Sequence, residues 1–204
     1  MDKCKLLIFG HSIIKKIGFS LTNVDGNYAA SLRLAETFAE VKIEGIGGLT
    51  ITRAKRLVSY KQYFDTDLIY VQIGDNDFKA KESDRRSLAE TASEIMEFAR
   101  MIKELFPRVK RIVLGALLPR FESSKFNLSH EEAEIYRDWA NMVNSELLKL
   151  AIDFEWIDIW YHNFVFNANS INNFEDGIHF DNIGEKKYIK SLRGAVISNF
   201  KKMA

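Results

Sequence analysis

Five short apolar runs punctuate the chain: Lys5–Phe9, Glu40–Ile46, Leu68–Ile73, Lys110–Leu117 and Phe154–Ile159. Each has the length of a strand, and most are rich in Ile, Val, Leu or Phe. Several lack a clean alternation of apolar and polar positions, as strands do when both faces of a parallel sheet are covered. Between the runs the period becomes helical. Leu88, Ala92, Ile95, Met96, Ala99, Ile102 and Phe106 form one apolar stripe. Ser129 and Glu132 have the spacing of a capping box, and the helix they open is predicted to turn Ile135, Trp139, Met142, Val143 and Leu147 inward. Tyr188, Leu192, Val196 and Phe200 mark a C-terminal helix, and a further helix is predicted over Leu49 to Tyr63. Strands alternating with helices imply an α/β fold with a parallel sheet covered on both faces. In such sheets chemistry sits beyond the carboxyl ends of the strands, so the residues following each run are the ones to examine.

The bulk numbers agree with one domain over residues 1–204: 47% of the residues are hydrophobic and 28% charged, with a net charge of +1. There are no repeats, no low-complexity tract and only two prolines, Pro107 and Pro119. A near-neutral chain does not announce a nucleic-acid partner. The clustered cations Lys15, Lys16, Arg53, Lys55, Arg56, Lys186 and Lys187 read as a solvated face. The single cysteine, Cys4, cannot form an internal disulfide and heads an apolar run, as a small core or strand-end residue would. No apolar stretch is long enough to span a bilayer, and Leu6–Phe9 is too short for a secretory signal core. The expectation is a soluble intracellular, cytoplasmic protein.

The first run exits through Gly10-His11-Ser12. A serine there can stand at a helix start, where backbone N–H groups and the helix dipole favour negative charge near its Oγ. Taken alone, Ser12 is more simply an N-cap. The second run is followed by Gly45-Ile46-Gly47-Gly48, whose glycines could bring a backbone N–H to an oxyanion. No Lys-Ser or Lys-Thr pair follows, so this is not a phosphate loop. The third run ends in Gly74-Asp75-Asn76-Asp77, in which Asn76 can donate a neutral hydrogen bond; a metal site would need companion ligands that the sequence does not group here. A long loop from Trp160 to Phe174 has the proportions of a rim or lid. It leads into Asp176-Gly177-Ile178-His179, where an aspartate three residues before a histidine can hold the imidazole in the tautomer that takes a proton from serine. Each piece is weak alone. Together they supply a nucleophile, a base, its orienter and oxyanion donors at separate strand ends, the set that acyl transfer requires.

In this order the blocks resemble the SGNH (GDSL-type) hydrolases over nearly the whole chain. Gly10-His11-Ser12 matches the first family block, Gly47 or Gly48 (Gly48 preferred) the second, Gly74-Asp75-Asn76-Asp77 the third, and Asp176-Gly177-Ile178-His179 the last. The resemblance implies a flavodoxin-like three-layer sandwich with a five-stranded parallel sheet. It also implies a catalytic triad of Ser12, His179 and Asp176, an oxyanion hole from Ser12 N–H, Gly48 N–H and the Asn76 side chain, and no metal or organic cofactor. His11 departs from the family, which has an aspartate there that braces the loops around the site. The segment from Gly177 to Ala195 is also similar to SGNH domains carried by animal retroelements.

The function expected is therefore hydrolysis of a small-molecule or lipid ester. A compact site favours short acyl groups such as acetyl, and Phe121, Phe126, Tyr161 and Phe164 are candidate rim residues that could equally be packed. The alternative is an SGNH-like domain of weak or lost catalysis serving as an RNA- or protein-binding module, a reading motivated by His11 and the basic clusters. A nucleotide-binding flavodoxin-like domain is disfavoured, because the first turn lacks a glycine- or hydroxyl-rich phosphate loop.

Overall fold

The structure is a computed structural model that describes residues 3–23, 32, 34, 39–60, 65–78, 88–167 and 169–203. Five strands, β1 (Cys4–Gly10), β2 (Ala39–Gly45), β3 (Leu68–Gln72), β4 (Arg111–Gly115) and β5 (Ile157–Trp160), form one parallel sheet in the order β2-β1-β3-β4-β5. The helices are α1 (Ser12–Asn23), α2 (Ile51–Tyr60), α3 (Leu88–Leu105), α4 (His130–Ala151) and α5 (Asn182–Lys201). Strand residues sort with period two between two cores. Leu7, Phe9, Ile69, Val71, Ile112 and Leu114 pack beneath α2, α3 and α4. Leu6, Ile8, Leu68, Tyr70 and Val113 pack beneath α1 and α5. Both faces of the central strands are thus dry, which is why they read as continuous apolar runs.

The direction in which successive strands are added reverses at β1, from β2 on one side to β3 on the other, and in parallel sheets such a switch point diverts the following loops to opposite faces and leaves a crevice at the carboxyl ends. The α/β three-layer expectation holds, with corrections in detail. The fourth run overshoots: Ala116 and Leu117 leave β4, and their N–H groups go to Trp160 O (2.9 Å) and Asn144 Oδ1 (2.7 Å). The fifth begins late, because Phe154 and Trp156 pack edge to face at 5.5 Å in the turn before β5. The capping box on α4 forms as expected. The inward face of α4 is rotated, however: Ile135 and Met142 are exposed, and Ala133, Tyr136, Ala140, Val143, Asn144 and Leu147 are buried. The helix expected to reach Tyr63 is described to Tyr60; residues 61–63 lie outside the described residues. Among the described residues no helix is long and apolar enough to cross a membrane.

Candidate active site

Ser12 is the first residue of α1, directly beyond β1, and Lys15 N–H donates to His11 O (3.0 Å) to close the first helical turn. The turn before α5 brings up the partners. His179 Nε2 lies 3.0 Å from Ser12 Oγ, across 167 residues of sequence. On its other side, His179 Nδ1 is 3.0 Å from Asp176 Oδ2 and 3.2 Å from Oδ1. Asp176 Oδ1 also accepts the N–H groups of His179 (2.7 Å) and Ile178 (3.1 Å), so the turn is wrapped around its own carboxylate. Gly177 makes this possible. Its φ is +76°, and a Cβ there would lie 2.6 Å from the carbonyl oxygens of Phe121 and Glu122. Burial would raise the Asp176 pKa, but the Lys125 ammonium (Nζ to Oδ2, 2.8 Å) and the donors of the turn outweigh it and hold the carboxyl well below the usual range.

Two contacts tie the turn to neighbouring helices. Lys16 on α1 donates to Phe180 O (2.7 Å) and pairs with Glu175 (2.9 Å). Asp181 caps α5 through the N–H groups of Ile183 and Gly184 (2.9 and 2.7 Å). Ser12 at the start of α1 and His179 just before the cap of α5 are therefore each anchored close to rigid backbone.

The second and third blocks lock to each other. The Asp77 carboxylate accepts the Ile51 N–H at the start of α2 (3.1 Å), and Asn76 Nδ2 donates to Leu49 O (3.1 Å). Arg120 donates to Asn76 Oδ1 (3.4 Å). Asn76 is held with one of its two amide hydrogens committed. Gly48 sits at φ +63°, where other residues are strained, on the loop that Asn76 and Asp77 tether.

Sequence reasoning did not anticipate what His11 does. Its Nε2 lies 2.8 Å from Asp75 Oδ2, and both residues are buried. Asp75 Oδ1 also accepts the Leu118 N–H (2.9 Å), and Gln72 Nε2 donates to Oδ2 (3.3 Å). Burial opposes ionisation of Asp75, yet His11, the Leu118 N–H and the Arg120 guanidinium keep its carboxyl below the usual range. Where the resemblance places an aspartate at position 11, this chain has an imidazole there and the carboxylate on the third block, an exchanged brace.

Behind this pair runs a buried polar chain. Gln72 Oε1 accepts from Tyr70 Oη (2.9 Å) and Tyr188 Oη (3.0 Å), and Tyr70 Oη lies 2.7 Å from His162 Nε2. His162 Nδ1 is 3.0 Å from Ser191 Oγ, and its ring stacks on Tyr188 at 4.2 Å. Burial pulls the His162 pKa down to about 3.

Of the four candidate rim aromatics, Phe126 packs on the His179 ring (5.6 Å) and is 42% exposed. The others pair elsewhere: Phe121 with Phe174 (5.0 Å), Tyr161 with Phe166 (5.7 Å) and Phe164 with Phe180 (5.6 Å). Among the basic clusters, Lys16 and Lys55 are engaged with Glu175 and Glu97. Cys4 is buried as expected, and burial pushes its thiol up to about 11, away from reactivity.

Solved structures share the fold. A GDSL-like lipase from Bacteroides thetaiotaomicron superposes with a TM-score of 0.70 at 15% identity, covering 96% of this chain and 88% of its own. A carbohydrate acetylesterase from Sinorhizobium meliloti gives 0.68 at 14% identity, covering 96% and 99%. An acetylxylan esterase from Geobacillus stearothermophilus, solved as a catalytic mutant, gives 0.63 at 15% identity and 94% of each chain. No curated protein matches the sequence. The family model described as GDSL-like Lipase/Acylhydrolase matches residues 6–192, and with that span of the sequence the chain belongs to the GDSL-like lipase/acylhydrolase family.

Proposed function

We propose that the protein is a serine hydrolase of carboxylic esters with Ser12 as nucleophile. The observation that carries this reading is the unbroken chain of contacts from Ser12 Oγ through both nitrogens of His179 to Asp176, 3.0 Å at each link. His179 takes the serine proton as Oγ attacks the acyl carbon. The Asp176 carboxylate stabilises the imidazolium, which then protonates the leaving alcohol. Water, deprotonated by His179, releases the acyl group. The oxyanion of each tetrahedral intermediate is held by the N–H groups of Ser12 and Gly48 and the uncommitted amide hydrogen of Asn76.

Short acyl esters, acetyl above all, are the substrates this reading favours. Phe126 packs on the His179 ring beside the base, and two of the fold relatives are acetylesterases acting on carbohydrate esters by their names. The test is hydrolysis of p-nitrophenyl acetate, butyrate and octanoate by the wild type and Ser12→Ala. The expected result is turnover highest on acetate and abolished in the variant. Equal turnover by both proteins would refute Ser12 as nucleophile, and equal inertness across the series would put a binding role ahead of catalysis.

A further inference from the structure

Between β4 and α4 the chain forms a small hairpin. Ser123 and Leu128 exchange backbone hydrogen bonds (2.9 Å each way), and Asn127, at φ +49°, closes the turn with its N–H on Ser124 O (3.3 Å). The hairpin is fixed to the Asp176–His179 turn at two levels. At its foot, Phe121 N–H donates to Gly177 O (2.8 Å). At its tip, Lys125 Nζ donates to Asp176 Oδ2 (2.8 Å), Phe126 packs on the His179 ring, and the ammonium lies 5.3 Å from the Phe126 centroid. The Lys125 side chain is 63% exposed, whereas that of Asp176 is 7% exposed. An exposed lysine pays side-chain entropy to stay in one place, and here that place is the carboxylate oxygen that faces His179 Nδ1.

Resting on the triad reading above, we propose that Lys125 is a positioning residue for the Asp176–His179 pair. It holds Oδ2 toward Nδ1 and offsets part of the carboxylate's charge, so that His179 stays an unprotonated base to lower pH than the bare aspartate would allow. The two influences act on one atom. A carboxylate facing imidazole favours the imidazolium, and a cation on the same oxygen opposes it. The other charged groups around His179 are Glu175 on its own turn, Lys16 from α1 and Glu185 from α5, and Lys16 is already paired with Glu175 at 2.9 Å. Removing Lys125 leaves that pair untouched. Lys125 Nζ is 2.8 Å from Asp176 Oδ2, which is 3.0 Å from His179 Nδ1, and a unit charge two such contacts away in a water-like dielectric shifts a titration by about half a unit.

The experiment has two readouts. In the Ser12→Ala protein, the His179 ring is titrated by NMR with and without Lys125→Met. In the active protein, the acid limb of kcat/KM for p-nitrophenyl acetate is compared among wild type, Lys125→Met and Lys125→Arg. The expected result is a rise of about half a pH unit in both readouts for Lys125→Met, with Lys125→Arg within about 0.2 of wild type. A His179 titration unmoved by Lys125→Met overturns the proposal while leaving the triad standing. If instead the NMR titration shifts but hydrolysis does not depend on Ser12, the triad reading fails and Lys125 loses any catalytic meaning with it.

Discussion

The exchanged brace makes a counterintuitive prediction: restoring the family's aspartate at position 11 should damage the protein. In His11→Asp the imidazole that donates to Asp75 at 2.8 Å is replaced by a second carboxylate. His11 is 2% and Asp75 5% exposed, so water cannot screen the clash. Removing the partner of a buried carboxylate and setting a second carboxylate against it costs about 3–5 kcal/mol. For a chain of this size each kcal/mol corresponds to about 2–4 °C, so Tm should fall by roughly 6–20 °C. The pH dependence identifies the cause. In the variant one carboxyl is forced to titrate above its unfolded value near 3.9, so its stabilising proton is present at low pH and lost as pH rises. In the wild type Asp75 titrates below that value and loses its contribution only in acid. The deficit should therefore narrow as pH falls from about 7 toward 4. Thermal unfolding followed by circular dichroism at several pH values measures it. Adding Asp75→Asn to His11→Asp should restore part of the loss, although Asp75→Asn alone is destabilising. A Tm within about 2 °C of wild type at pH 7, or strictly additive single and double substitutions, would refute the exchanged-brace argument.

Two further outcomes follow from the site and its foundation. His162 titrates near 6.5 when unfolded and about 3 when folded, so the unfolded chain takes up a proton the native state refuses as pH drops below 6.5. Denaturant unfolding at pH 7 and pH 5 should show the wild type losing about 2 kcal/mol more than His162→Gln, and parallel pH slopes would show that the imidazole is not the source. Asn76→Ala should lower kcat/KM on p-nitrophenyl acetate by about 10²–10³-fold through loss of an oxyanion donor, and a loss below about fivefold would remove Asn76 from that role.

The order of strands and helices was legible because both faces of β1, β3 and β4 are dry, and apolar runs of that length are hard to place elsewhere. The face of α4 was not. Counting hydrophobic residues points Ile135 and Met142 inward, but the interior takes Asn144, whose amide bonds both the N–H (2.7 Å) and the carbonyl (3.0 Å) of Leu117 and so stands in for a strand neighbour. A polar side chain that completes a backbone ladder looks like a surface residue to any periodicity argument. The site divides the same way. Asp176 and His179 could be paired from spacing alone, since one turn brings them together. Lys125, 51 residues from Asp176, and Asp75, 64 residues from His11, act through contacts that exist only in the folded chain. His11 could be seen to break the family pattern, but not that its partner is the residue before Asn76.

The 167-residue separation between Ser12 and His179 has a consequence for how the protein is made. During synthesis Ser12 leaves the ribosome first, and His179 follows only after all five strands, the last of which ends at Trp160. Even then His179 is positioned only once Asp181 caps α5 and Lys16 has reached across to Phe180. Until then Ser12 lacks the imidazole that lies 3.0 Å from its Oγ in the folded chain. On the proposed mechanism, ester turnover would report whether the last helix has docked, and following it during refolding would time that final step separately from formation of the sheet.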